Sequence, residues 1–547
     1  MRAAGLTLVA ALYFLGLGNG TLWDNSEPTY GEVVKELFKT GDWLTLHYNY
    51  QPWYVHPPLW IWTAGIAVKV FGLNEFAVRF PSALFGVLGV AVTFAAARRM
   101  YGEVAALVSA AALCTSLEYI VLSRLALLDS MLICFMTIAT FWGYFALRDG
   151  DRRALWIAAI AAALGTMTKG PVAIVVPLLA LAAWLLVERL LVREPVRPVA
   201  RLRTLPWLGA VAVYVVLAGA WFALETAQHG SAFFGAYLGK STFGRYMAPF
   251  ENQPGPVYYY VPLLLLGFFP WIAFFPKAIK EAWLARRSDG IFLLCAIAVP
   301  FVFFSLAQTK LPNYLGIIFP ALAVLVGGQL GGAIERNDVR WLRGALLVLP
   351  VALVLLVIAI ALYVQTQSLG QIAELVAPLR LLGWIVVPTT VVTGLLTVAL
   401  RRAWIAPLGL AAMMAGVVAA LVLAILPGLE TRKPMKAMAL HIQSLWRPGD
   451  QIAITGVHGG FSLLFYTDAG PIHFLKTEDV DANAGKLLQG RARVYALIVP
   501  YEYGDLRQRG IEVRILERKP TMWLVTNRLR KLQRSNLFDR ATPRAVE

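Results

Sequence analysis

The chain has 547 residues, of which 59% are hydrophobic and only 15% charged, and it carries a net charge of +17. Soluble domains are about a quarter charged, and a soluble protein this apolar would expose patches that aggregate, so composition excludes an ordinary soluble enzyme. No basic run interleaved with aromatics suggests a nucleic-acid partner; the positive excess is of the kind that the cytoplasmic loops of a membrane protein carry.

Apolar blocks of roughly 15 to 25 residues, the length that crosses a bilayer core, predict spans near 4–20, 83–97, 104–122, 130–147, 154–168, 172–188, 206–224, 257–276, 290–307, 313–332, 344–364, 380–399 and 404–426. The class is therefore a polytopic all-α membrane protein with about thirteen membrane helices. The opening run from Met1-Arg2 to Leu17 reads as a first anchored span, because Gly18-Asn19-Gly20 makes a poor signal cleavage site. Cys114, Cys134 and Cys295 each lie inside an apolar block, and no CxxC motif or His/Cys cluster occurs, so neither a disulfide framework nor structural zinc is indicated.

With the N-terminus on the cytoplasmic side, the alternate loops carry Arg98-Arg99, Arg148 with Arg152-Arg153, the run from Arg189 to Arg203, Lys277 with Lys280 and Arg286-Arg287, Arg336 with Arg340 and Arg343, and Arg401-Arg402. Every one is basic, as the positive-inside bias requires. The opposite, external set holds the long segment 21–82, short turns near 123–129 and 169–171, segment 225–256, the turn from Gln308 to Pro312, and the tail from residue 430.

Segment 21–82 is too long for a mere connector. Over Pro28 to Lys39 its pattern predicts an amphipathic helix lying flat in the interface, with Val33, Val34, Leu37 and Phe38 on one face and Glu32, Lys35, Glu36 and Lys39 on the other. Asp24 and Glu27 stand at its start, where the bland reading is capping or solvated charge. The aromatic stretch Tyr50-Gln-Pro-Trp-Tyr-Val-His-Pro-Pro suits an interface belt, and Pro57-Pro58 fixes His56 at a turn. Further along, Arg124, Asp129, Lys169 and Lys310 sit at external span ends, where snorkelling anchors are the plain alternative. The external mouth thus gathers acids at 24, 27 and 129 and bases at 56, 124, 169 and 310; acids to move a proton and cations to hold a phosphate are what transfer from a phospholipid-type donor requires. No GxxxxGK[ST] loop is present.

The tail, 430–547, differs in kind. Gln451-Ile-Ala-Ile-Thr, Arg493-Val-Tyr-Ala-Leu-Ile-Val and Val513-Arg-Ile-Leu predict strands, and Lys433 to Trp446 and Ala482 to Leu488 predict helices. This part is expected to be a small α/β domain following a membrane domain over 1–429.

The motifs Trp23-Asp-Asn-Ser-Glu-Pro-Thr-Tyr, Gly41-Asp-Trp, His56-Pro-Pro-Leu, Arg124 with Asp129, Thr168-Lys-Gly-Pro and Lys310-Leu-Pro-Asn-Tyr together resemble the membrane glycosyltransferases of the C fold, near the dolichyl-phosphate-mannose protein mannosyltransferases and the bacterial lipid A aminoarabinose transferases. The resemblance implies a polyprenyl (undecaprenyl) phosphate sugar as donor and a lipid or protein acceptor, such as lipid A or another envelope molecule, on the periplasmic face of the inner membrane. It implies catalytic roles for Asp24, Glu27 and Asp129, with Asp24 or Glu27 as base, and contacts to lipid phosphate and sugar from His56, Arg124, Lys169, Lys310 and Tyr314. Inversion is expected for a single displacement. Some members of that family hold a divalent metal near the site. Here Val55-His56 stands where aminoarabinose transferases carry Glu-Lys, and His229 is the only histidine of segment 225–256, so no metal ligands are assigned. The alternative class is a transporter or lipid flippase with an external domain; clustering of the ionisable residues at one membrane face, with no internal repeat, argues against it.

Overall fold

The computed structural model describes residues 11–23, 26–192, 204–244, 247, 255–346, 348–349, 369–430, 433–455, 460–475 and 485–528. The expected span near 344–364 falls largely outside these residues, the start of that near 4–20 does too, and Asp24 lies outside them. Among the described residues eight helices are long and apolar enough to cross a membrane, and ten spans result if each of two bent pairs is one crossing. The protein is a multi-pass membrane protein with a small α/β unit at its end. By contact the chain divides into two compact units, residues 1–22 with 33–430 and residues 23–32 with 431–547; the acidic motif at 23–32, expected with the membrane domain, groups with the tail.

Two predicted spans are broken. One bends by 63° between Glu103–Cys114 and Leu117–Arg124, the other by 106° between Val257–Gly267 and Trp271–Ala285. Ser116 leaves the helix in an extended conformation, and Pro270 lacks the N–H that would continue the ladder. The two breaks are joined by one backbone and one side-chain hydrogen bond. Leu117 N donates to Phe269 O at 3.3 Å, and Trp271 Nε1 donates to Thr115 Oγ1 at 3.0 Å. In hydrocarbon such groups must find a partner inside the protein, so the two bends are docked on each other.

The segment 21–82, expected to be external, is shorter than predicted, because the next long helix starts at Glu75 and runs to Tyr101. Ahead of it the apolar helix Leu59–Phe71 exposes Ile66, Val70 and Phe71. The helix predicted near 28–39 forms over Glu27–Thr40, but its polar face is not turned to solvent. Lys35 and Glu36 are buried while Phe38 is exposed. Glu36 is covered by a hairpin of two-residue strands, β1 (His47–Tyr48) with β2 (Gln51–Pro52), whose turn folds back so that Tyr50 N donates to Glu36 Oε1 at 3.0 Å. Upstream, the chain leaving the first span is held by Arg79. Its Nη1 donates to the carbonyls of Leu17, Asn19 and Gly20, and its Nη2 to that of Thr21 at 3.0 Å. Glu430 accepts the Thr21 N–H at 2.9 Å.

Between helices the membrane unit packs through small residues, the usual way for apolar helices to approach within lipid. Gly327 and Gly331 of Phe319–Glu335 lie against Ser109 and Ala105 of Glu103–Cys114, and a Cβ at Gly331 would stand 2.7 Å from Ala105 Cα.

In the tail, a five-stranded sheet has the order β4 (Ile472–Leu475), β3 (Gln451–Thr455), β5 (Val494–Ile498), β7 (Trp523–Thr526), β6 (Arg514–Arg518). β3 is parallel to both β4 and β5, and β7 is antiparallel to β5 and β6. Every residue of the central β5 is buried, as expected for a strand covered on both faces. The helices Met435–Leu445 and Gly485–Gln489 lie where the sequence predicted them; β4, β7 and the helix Pro500–Gln508 were not predicted. In the 23–32 segment of this unit, Lys433 Nζ lies 3.6 Å from the Trp23 ring centroid, and Glu27 is fully buried with Oε2 accepting Trp23 N at 2.8 Å.

Gly331→Ala is expected to lower stability by about 1–3 kcal/mol, the usual cost of overpacking. Gly344→Ala, where a Cβ would meet nothing within 4 Å, should be close to neutral. Thermal unfolding in detergent compares the two, and equal midpoints would contradict the packing role.

Candidate active site

Four helix ends converge on one cavity of about 600 Å³. Asp129 opens the helix Asp129–Asp149, and Lys169 closes the helix Arg152–Lys169. Gly170 takes φ +91, a left-handed value that suits glycine, and Pro171 starts the next helix, so the chain reverses within two residues. The third contribution is the end of Ser288–Leu306 with Phe303 and Phe304. The fourth is the tight helical turn Pro312–Ile318 carrying Asn313 and Tyr314. The remaining wall holds Val55, His56, Tyr237 and Ser241, and apolar side chains from Leu132, Met136, Val172, Val175 and Ile317 line the rest. A largely apolar chamber with a few convergent polar groups is the usual form of a small-molecule or lipid site.

At its polar end Lys169 Nζ donates to Asp129 Oδ1 at 2.7 Å, and Asn313 Nδ2 donates to the same oxygen at 3.0 Å. Both donors fall on Oδ1, so among the described residues Oδ2 has no protein donor, while Asp129 lines the cavity. The carboxylate is thus locked by one oxygen and offers the other. The ammonium of Lys169 also lies 5.5 Å from the centre of the Tyr314 ring. The side chains of Asp129 and Lys169 are 5% and 12% exposed, and a pair this buried holds only because each member compensates the other. Gly170 has a second role here: a Cβ at this position would collide with the hydroxyl of Tyr237.

Of the residues singled out from the sequence, the fold brings Asp129, His56, Lys169 and Tyr314 to this chamber. Two cations serve the backbone instead. Arg124 donates through Nη1 to the carbonyls of Leu12 and Tyr13 at 2.8 and 3.1 Å and through Nη2 to Leu15 O at 2.7 Å. Lys310 is buried, and its Nζ donates to the carbonyls of Phe304, Ser305 and Ala307. It therefore caps the C-terminus of Ser288–Leu306, where the helix dipole favours a cation, and burial pushes its pKa below the ordinary lysine value. Glu27 belongs to the other unit and Asp24 lies outside the described residues. Asn313 and Tyr237 were not assigned from the sequence. Asn313 stands inside the Lys310-Leu-Pro-Asn-Tyr motif, which is the signal that would have found it; Tyr237 sits on the helix Gly235–Gly244, with no motif to mark it. No group of three or more His, Cys, Asp or Glu residues among those described is placed to hold a metal ion.

The fold and chamber define a membrane protein of the C-fold glycosyltransferase class. Residues 55–222 match the family described as dolichyl-phosphate-mannose-protein mannosyltransferase. The structure of ArnT from Cupriavidus metallidurans bound to undecaprenyl phosphate is similar over 96% of this chain and 98% of that one, with a TM-score of 0.79 at 22% identity. A more distant similarity, TM-score 0.55 at 12% identity, is to the archaeal oligosaccharyltransferase AglB from Archaeoglobus fulgidus. Among curated proteins, an undecaprenyl phosphate-alpha-4-amino-4-deoxy-L-arabinose arabinosyl transferase of Pseudomonas fluorescens is 31% identical over 399 residues, 70% of this chain and 69% of the relative. The corresponding transferase of Edwardsiella ictaluri is 29% identical over 341 residues, and this chain spans 60% of its length. The chain belongs to the undecaprenyl phosphate-alpha-4-amino-4-deoxy-L-arabinose arabinosyl transferase family.

Replacing one member of the buried pair, by Lys169→Met or Asp129→Leu, is expected to cost about 3–5 kcal/mol because it strands the other charge. The double replacement should recover most of that loss in thermal unfolding. A strictly additive double variant would mean that the two side chains are not coupled.

Proposed function

We propose that the protein transfers a sugar from an undecaprenyl phosphate donor to an acceptor such as lipid A or another envelope molecule, on the periplasmic side of the inner membrane. The names of its relatives support 4-amino-4-deoxy-L-arabinose as the sugar. The observation that carries the reading is the buried Asp129–Lys169 pair at the polar end of an apolar chamber, with Oδ2 of Asp129 left without a protein donor among the described residues. The polyprenyl chain occupies the apolar part lined by Leu132, Met136, Val172 and Val175, and Lys169 and His56 meet the phosphate. Asp129 keeps Lys169 in place through Oδ1 and receives a donor group of the sugar on Oδ2.

Chemically, the acceptor oxygen bonds to the anomeric carbon as the bond from that carbon to the phosphate oxygen breaks. The phosphate leaves with the electron pair and is held by the cations. The acceptor proton passes to a carboxylate of the Asp24–Glu27 motif, and the configuration inverts. Support for Asp129 and Lys169 is geometric; support for Asp24 or Glu27 as base is the motif resemblance, and support for external sidedness is the distribution of basic loops.

In vesicles loaded with undecaprenyl phosphate-linked aminoarabinose, Lys169→Met is expected to lower transfer by on the order of 10²–10³. Asp24→Asn or Glu27→Gln is expected to lower it by on the order of 10²–10⁴, with donor lipid still bound. Full activity in both carboxylate variants would rule out the first-segment base, and full activity in Lys169→Met would remove the phosphate assignment.

A further inference from the structure

At the far ends of Ser288–Leu306 and Phe319–Glu335, away from the chamber, three chain segments are joined into one basic platform. The first is Trp271–Ala285, turned aside by the 106° bend. It buries Phe274, Ala278 and Ala282 along one face and leaves Lys280, Trp283 and Leu284 exposed on the other. The second is the loop after Glu335. Its Trp341 ring stacks on Phe274 with a 6° interplanar angle, donates through Nε1 to Glu281 Oε1 at 2.7 Å, and accepts Lys277 Nζ on its carbonyl at 3.0 Å. The third is the turn at 401–403. There Asn337 donates to Arg401 O at 2.9 Å and accepts Ala403 N at 3.0 Å.

Six cations of this platform are left open, whereas three of a neighbouring loop pair, Arg98, Arg99 and Arg148, are not. Arg98 pairs with Glu103, Arg99 with Asp149 and Asp151, and Arg148 with Asp149 and Asp289. By contrast Lys280, Arg286, Arg287, Arg336, Arg340 and Arg343 have no carboxylate partner among the described residues. Of the nearby acids, Glu281 and Asp338 are bonded to Trp341, Asp289 is taken by Arg148 and Tyr144, and Glu335 alone stands exposed. Two exposed tryptophans, Trp283 at 46% and Trp404 at 51%, lie among these cations. Amphipathic indole rings settle at the headgroup level of a bilayer, and clustered cations beside a membrane helix attract anionic lipid.

We infer that this platform is a binding surface for the anionic phospholipid headgroups of the leaflet at that end of the helices. Positive loops alone would set the direction of insertion. Rigidly tied loops that leave their guanidinium groups free among exposed tryptophans are suited to holding headgroups in place, because an arginine fork matches a phosphate.

The test uses the full chain in nanodiscs made of equal parts phosphatidylcholine and phosphatidylglycerol, transferred to mild detergent, with retained lipid counted by native mass spectrometry. The wild type is expected to retain phosphatidylglycerol over phosphatidylcholine and to release it as ionic strength rises. Arg336→Gln with Arg340→Gln and Arg343→Gln, and separately Lys280→Gln with Arg286→Gln and Arg287→Gln, should each weaken that retention by roughly fivefold per cation removed. Arg152→Gln with Arg153→Gln, outside the platform, should leave it unchanged. The inference is overturned if the platform variants retain phosphatidylglycerol as the wild type does, if the Arg152/Arg153 variant loses it equally, or if the platform captures an acidic protein in place of lipid. The salt release of the wild type decides the matter should a variant fail to fold.

Discussion

A carboxylate and an ammonium placed at helix ends inside a membrane protein are tolerated only together, and that constraint organises the chamber. For Lys169 to reach Asp129, the end of one helix must meet the start of another, separated in sequence by the whole helical hairpin between them. Asn313 then completes the coordination of the same oxygen from a third element. Once those distances are set, the apolar faces of the helices that follow have little choice but to surround the space beside the pair. The polar end and the greasy end of the chamber are two results of one electrostatic requirement.

The bends belong to the same economy of satisfied groups. A broken helix in hydrocarbon exposes peptide groups that need partners; here the Leu117 N–H of one break meets the Phe269 carbonyl of the other, and the side chains of Trp271 and Thr115 bond beside them. Arg124 and Lys310 do related work at helix ends, saturating carbonyls that would otherwise face a dry interior. Both are therefore immobilised. His56 and Lys169, by contrast, line the open space.

Much of this was legible in the sequence, for reasons that differ by residue. Apolar runs located most spans, because bilayer thickness imposes a length on them. They did not reveal the breaks at 115–116 and 268–270, since hydropathy averages over the window that contains the break. Short motifs found Asp129, Lys169 and Tyr314, because ionisable or amphipathic groups at span ends are rare enough to be noticed. The same rarity brought in Arg124 and Lys310, and no property of one residue separates a cation that will line the chamber from one that will meet carbonyls. That distinction depends on which backbone groups the fold leaves bare. The helix Glu27–Thr40 shows the converse limit: its pattern is amphipathic, yet Glu36 is covered by the hairpin turn at Tyr50, a contact across the fold that periodicity does not encode.

Gly170 satisfies two unrelated demands, a left-handed backbone and a gap for the tip of Tyr237. The gap and the backbone's handedness are separate limits on position 170. A shorter side chain at 237 would lift the first and enlarge the chamber on that wall, yet any side chain at 170 would still be strained.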